Sequence, residues 1–145
     1  MSRARSKARR YAVQALYQWQ LTGHEVHALV EQFALEHSMG DEEAEYFREA
    51  VDGVILHRHE LDDHLAPFLD RAIEAVDPVE RAILRLGVYE LAMRPDVPYR
   101  VIINEAVELA KTFGAEHGHR FINGLLDKTA ARLRSVEMRA GRGPR

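Results

Sequence analysis

Directly after Asp77-Pro78, the residues Val79, Ile83, Leu84, Leu86, Val88 and Leu91 cover most of the circumference of a helix. An acid at the N-cap followed by proline at the first helical position is a sharp start, because a first turn leaves that amide unpaired anyway. A helix that is apolar on most sides cannot lie on a surface and has to be enclosed by other elements. The rest of the chain offers helices for that purpose and little else.

Residues 4–21 suit a helix, with Ala12, Val13, Leu16, Tyr17 and Trp19 on one apolar face and Thr22-Gly23 as the stop. On that face Tyr17 and Trp19 read as core residues. Val26, Leu29, Val30 and Phe33 mark a second helix that ends near Gly40. Asp41 is the expected N-cap of a third, with Glu42 and Glu43 in the first turn, where the helix dipole favours negative charge. Tyr46, Phe47, Val51, Val54, Ile55 and Leu61 continue this long segment until Pro67 interrupts it. Beyond the central helix, Pro95 and Pro98 bracket a turn. Residues 99–113 then form an amphipathic helix, with Ile102, Ile103, Ala106, Val107 and Ala110 inward, Asn104, Glu108 and Lys111 outward, and Gly114 as its cap. Phe121, Ile122, Leu125, Leu126 and Leu133 mark the last helix. After Leu133 the Gly, Pro and Arg content points to a disordered basic tail over residues 135–145. No alternating run bounded by turn residues suggests a strand. The expectation is an all-α compact bundle of six to seven helices, a single domain over residues 1–134, with Asp77-Pro78 able to divide two sub-bundles.

A chain of 145 residues suits one domain with a sizeable core. Its formal net charge of −3 conceals a strong asymmetry. The first 24 residues carry five basic side chains (Arg3, Arg5, Lys7, Arg9, Arg10) and no acid. Residues 128–145 carry six basic side chains against Glu137, while the stretch between holds nine basic and 22 acidic ones. Two basic ends on an acidic body suggest a polyanion partner, though a solvated, frayed terminus has the same composition. The absence of cysteine excludes disulfides, thiolate catalysis and Cys-based zinc sites. Gln14, Gln18 and Gln20 break up the stretch after the basic start, so no secretion signal is expected there. No stretch has the ~18 apolar residues of a membrane span. A cytoplasmic protein is the default.

Candidate catalytic chemistry gives little. In the segment His57-Arg58-His59-Glu60-Leu61-Asp62-Asp63-His64, a zincin pattern would need two histidines four apart. His59 and His64 are five apart, about 140° round a helix, so they do not share a face. No metal site is expected there, and the bland reading is a solvated polar face. None of the four serines lies in a nucleophile elbow, and the Gly114–Gly118 segment lacks the Lys-Ser/Thr ending of a phosphate loop. No catalytic residue, metal or cofactor is assigned. The basic start is the stronger lead. Arg and Lys supply affinity for phosphates, Arg adds bidentate contacts, and nearby aromatic rings can stack on unpaired bases.

Longer strings add to this reading. Ala12-Val-Gln-Ala-Leu-Tyr-Gln-Trp-Gln20 directly follows the basic stretch. Tyr46-Phe47-Arg48, Val79-Glu-Arg-Ala-Ile-Leu-Arg85, Tyr89-Glu-Leu91 and Asp96-Val-Pro-Tyr-Arg100 follow in order. The longest are Ile103-Asn-Glu-Ala-Val-Glu-Leu-Ala-Lys-Thr-Phe-Gly114 and Phe121-Ile-Asn-Gly-Leu-Leu-Asp-Lys128. From about residue 3 to residue 134 the chain resembles the NusB family of transcription antitermination factors. The resemblance implies two three-helix sub-bundles and no enzyme activity. It implies binding to the boxA element of nascent rRNA transcripts together with NusE, a small-subunit ribosomal protein. Other Nus factors and RNA polymerase would complete the antitermination complex, and some members self-associate, which makes a homodimer a further expectation.

By position, the resemblance implies that Arg3, Arg5, Lys7, Arg9 and Arg10 contact RNA phosphates. Tyr17 would lie near the functional surface, and Arg120 with Phe121 would complete the RNA surface. Glu80 and Arg81 would help bind NusE. One departure is His117, where members often carry an acid, here followed by Gly118. A neutral or cationic group there would remove repulsion toward RNA. The helical domain also resembles the N-terminal part of an rRNA cytosine methyltransferase family, whose long cofactor domain has no room in 145 residues. The residues alone leave two other classes open: a helical protein-interaction module without RNA function, and a hydrolase built on His57–His64.

Overall fold

The computed structural model describes residues 2–23 and 25–141, and every regular element among them is helical. Eight α-helices follow in order: α1 (Arg3–Thr22), α2 (Val26–Glu36), α3 (Asp41–Leu56), α4 (Arg58–Leu65), α5 (Pro78–Met93), α6 (Tyr99–Phe113), α7 (Gly118–Leu133) and α8 (Ser135–Gly141). Short 3-10 turns occupy Ala66–Phe68 and Ile73–Ala75.

The all-α expectation holds, but the described residues form eight helices rather than six to seven. One extra helix comes from the third segment, which breaks at His57 instead of running on to Pro67. The His57 amide closes α3 on the Gly53 carbonyl at 3.1 Å, and its own carbonyl accepts from Leu61 at 2.9 Å in α4. Pro67 sits inside the following 3-10 turn.

The other extra helix is α8, which replaces the disordered tail expected from residue 135, at least as far as Gly141. Composition misleads here because Arg134, just before this segment, and Glu137 and Met138 within it are tied to the rest of the fold. Arg134 is buried, and its guanidinium donates to the carbonyls of Glu90, Leu91, Arg94 and Val97 at 2.8–3.1 Å. Three of these belong to the last turn and cap of α5, where the Glu90 and Arg94 carbonyls also accept from the Arg94 and Val97 amides at 3.0 Å. Arg134 also pairs with Glu137 at 2.6 Å, and the second Glu137 oxygen accepts from the Tyr99 amide that opens α6. Met138 is buried beside them. Residues 142–145 of the expected tail lie outside the described residues.

The central helix is α5, buried from Ala82 to Leu91 and packed against α1, α3, α4, α6 and α7. Asp77 caps it by accepting from the Val79 and Glu80 amides at 3.0 and 3.1 Å, as its sequence predicts. Gly53 lets α3 approach it closely: a Cβ there would lie 2.2 Å from Cε1 of Tyr89. Gly23 closes α1 at φ 66°, donating to the Trp19 carbonyl at 2.8 Å. For α3 the N-cap is Gly40 rather than Asp41, which becomes the first helical residue and keeps three acids in the first turn.

Candidate nucleic-acid interface

The basic start is not a loose arm. Ser2 accepts from the Arg5 amide at 3.2 Å, and α1 begins at Arg3. Helical periodicity then sorts the cations. Arg3, Lys7 and Arg10 share one face at i, i+4 and i+7, and with Ser2 and Ser6 they line a shallow hollow. Arg3 and Arg10 are exposed, whereas the half-buried Lys7 lies 3.9 Å from Glu43. Arg5 and Arg9 fall on the opposite face, toward Tyr46 of α3. Arg5 pairs with Asp96 at 3.3 Å and lies 4.7 Å from the centre of the Tyr46 ring.

Arg9 has a different role from the one expected. Its side chain is 2% exposed. Nε donates to both Glu90 oxygens at 2.9 and 3.1 Å, Nη2 to Glu90 at 2.8 Å, and Nη1 to Glu105 at 3.1 Å. The Tyr46 hydroxyl donates to Glu90, and Ser6 donates to Glu105. Burial opposes the Arg9 charge, but the hydrogen bonds and charge of Glu90 outweigh it and leave the guanidinium more basic than usual. Burial, then Glu90, push the Tyr46 hydroxyl upward, so it stays a donor. A guanidinium enclosed in this way cannot reach an RNA phosphate. Arg9 is therefore a core ion-pair partner, enclosed where Arg3 and Arg10 are exposed.

The remaining candidates lie toward the other end of α1. Tyr17 is 37% exposed rather than in the core, and Leu21 beside it is 55% exposed. With Val13, Phe33, Val79 and Phe113 they line an apolar groove. Trp19 is half-buried, with the Arg58 guanidinium 5.7 Å from its ring centre. The helical rise separates Tyr17 from Arg10 by about 10 Å along α1. Arg120 is exposed in the first turn of α7. Phe121 is half-buried, with Arg71 5.5 Å above its ring. His117, exposed at φ 67°, precedes this turn.

Glu80 and Arg81 point apart, as neighbours on a helix must. Glu80 approaches α7, where a Cβ on Gly118 would lie 2.6 Å from its Oε1. Burial first, then Asp77, raises the Glu80 carboxyl above its ordinary value. Arg81 instead lines a separate cleft with Arg58 and Arg85 and donates to the Glu74 carbonyl at 3.1 Å. That cleft was not legible in the sequence, because its residues come from four separated segments. The histidine segment does not converge either: His57 lies 3.6 Å from Glu60. No group of three or more His, Asp or Glu side chains among the described residues is placed to hold a metal.

A helical bundle that presents a basic helix face, a half-exposed aromatic groove and a basic-aromatic helix start defines a binding module. A model of the NusB family matches residues 6–131, and the chain belongs to that family. It is a family of transcription antitermination proteins rather than of enzymes. The chain is 55% identical over 140 residues to the transcription antitermination protein NusB of Nitrosococcus oceani, covering 97% of this chain and 94% of that one. It is 53% identical over 133 residues to its namesake in Stenotrophomonas maltophilia, covering 92% and 84%. Among solved structures, antitermination factors NusB and NusE in complex with dsRNA match at a TM-score of 0.85 and 30% identity, over 91% of this chain and 99% of that one. T. maritima NusB matches at 0.82 and 30%, over 90% and 92%.

Proposed function

We propose that the chain is a transcription antitermination factor that binds boxA RNA of nascent rRNA transcripts as a complex with NusE and helps RNA polymerase read through terminators. The observation that carries this reading is the near full-length likeness to a solved NusB bound to NusE and dsRNA. In this reading the face of Arg3, Lys7 and Arg10 neutralises RNA phosphates, and the half-buried Arg5 adds its charge from the other side of α1. Charge supplies affinity there and sequence is read elsewhere. Arg120 and Phe121 serve the RNA from the start of α7. Tyr17 serves the RNA from the exposed groove on α1, and Glu80 and Arg81 contribute to the NusE surface from different sides of α5. Other Nus factors join the complex, which acts in the cytoplasm, and the groove at Tyr17 and Leu21 also suits a homodimer contact. The mutual packing of α1, α2 and α3, and of α5, α6 and α7, supports a division into two three-helix sub-bundles.

A filter-binding titration of boxA RNA, with and without NusE, tests the proposal. Saturable binding that tightens with NusE is the expected result. Absence of binding to both RNA and NusE would overturn it.

A further inference from the structure

A cleft between the C-terminal end of α1, α4 and the first half of α5 brings three guanidinium groups together, those of Arg58, Arg81 and Arg85, beside the Trp19 indole. Its volume is about 360 Å³. The three arginines differ in how fully their donors are used.

Arg85 is committed. Nε and Nη2 reach the two oxygens of Asp62 at 2.9 and 2.8 Å, and Nη1 donates to Gln20 at 3.0 Å. This pair cancels Asp62 as a competing anion. Arg58 uses Nη1 alone, donating to the Ile55 carbonyl at 3.0 Å, and leans over Trp19. Arg81 gives Nη1 to the Glu74 carbonyl, while its Nε is buried with no hydrogen-bond partner. A buried N–H without an acceptor is rare in folded proteins and unfavourable. Burial, and then the neighbouring Arg85, make Arg81 less basic than usual, against the charges of Glu74, Asp62 and Asp77. The other carboxylate lining the cleft belongs to the exposed Glu74.

We propose that this cleft binds a phosphate group, free or as a monoester, between Arg58 and Arg81. Guanidinium forks match phosphate oxygens in geometry. With Arg85 paired to Asp62 and the exposed Glu74 at the cleft edge, Arg58 and Arg81 leave a net positive charge that a phosphate group neutralises. The site is separate from the exposed α1 face and from the Tyr17 groove, so it does not depend on the RNA assignment.

Trp19 is the only tryptophan in the chain and lines the cleft, so its fluorescence reports occupancy. The full-length protein is titrated with inorganic phosphate at constant ionic strength, with chloride as the balancing salt. A saturable Trp19 response is expected, and Arg58→Gln and Arg81→Gln should each weaken it by about tenfold or more. Melting curves confirm that the variants are folded. If Arg81→Gln unfolds, Arg58→Gln carries the test, because Arg58 holds only one carbonyl at the end of α3. Adenosine 5′-monophosphate binding more tightly than phosphate would identify a nucleotide ligand, and equal affinity would identify the phosphate group alone. The proposal is overturned if chloride gives the same response, or if folded Arg58→Gln keeps full affinity. Displacement of phosphate by an RNA without terminal phosphates would also overturn it, in favour of a backbone contact.

Discussion

Arg9 of α1 and Glu90 of α5 meet through three hydrogen bonds of 2.8–3.1 Å, and each side chain is 2% exposed. Removing one partner of such a pair strands a buried charge. Arg9→Ala should therefore destabilise the protein by about 3–5 kcal/mol. The measurement is urea or thermal unfolding. Unchanged stability together with lost RNA affinity would return Arg9 to the interface.

The opposite pattern is expected on the other face of the same helix. Arg3→Ala and Arg10→Ala should leave the melting temperature almost unchanged, since both side chains are exposed and make no ion pair among the described residues. Each should weaken boxA RNA binding and reduce the slope of log affinity against log salt by about one. Titrations at several salt concentrations check this. A slope equal to that of the parent protein would mean that these cations do not meet phosphates.

Much of the architecture was legible because its signals are local. Asp77-Pro78 starts α5, Gly23 ends α1, and the inward and outward residues of α6 follow from spacing alone. The misses come from partners far apart in the chain. Counting charge treats Arg9 like Arg10, yet Arg9 finds Glu90 and Glu105 more than 80 residues away. Composition makes the segment after Leu133 look like a tail, yet Arg134, Glu137 and Met138 are held by the α5–α6 junction. The break at His57 carries neither Gly nor Pro and left no mark in the sequence. Of the candidate site, helical phase alone could have separated Arg3, Lys7 and Arg10 from Arg5 and Arg9. Which of the two faces points inward depends on the position of Tyr46 and α5.

Gly53→Ala should destabilise by about 1–3 kcal/mol, because the new methyl would overlap the Tyr89 ring and push α3 from α5. Gly124 is the control. It is exposed within α7 with nothing within 4 Å of a built Cβ, so Gly124→Ala should stabilise by about 0.5–1 kcal/mol. Chemical denaturation of both variants distinguishes crowding from glycine's backbone entropy.

Asp96 lies close to Arg94 and Arg5. The Arg94 hydrogen bond, then the charges of Arg94 and Arg5, hold its carboxyl at about 2 against an ordinary 3.8. A depressed carboxylate adds stability that is complete above about pH 4 and disappears as pH falls toward 2. The side chain is half exposed, so the increment is small and sensitive to salt. Asp96→Asn should flatten the stability profile between pH 4 and 2. An unaltered acid limb would show that this ion pair makes no net contribution.

The two faces of α1 carry a consequence for how a long anion would meet them. Because Arg9 locks the helix to α5, the spacing of Arg3, Lys7 and Arg10 is set before any ligand arrives. An unstructured basic tail loses conformational freedom at the moment of binding, whereas here that loss is incurred during folding. The outward cations form a fixed ruler of charge, about 10 Å long. A variant that loosens Arg9 would weaken binding without removing a single exposed cation.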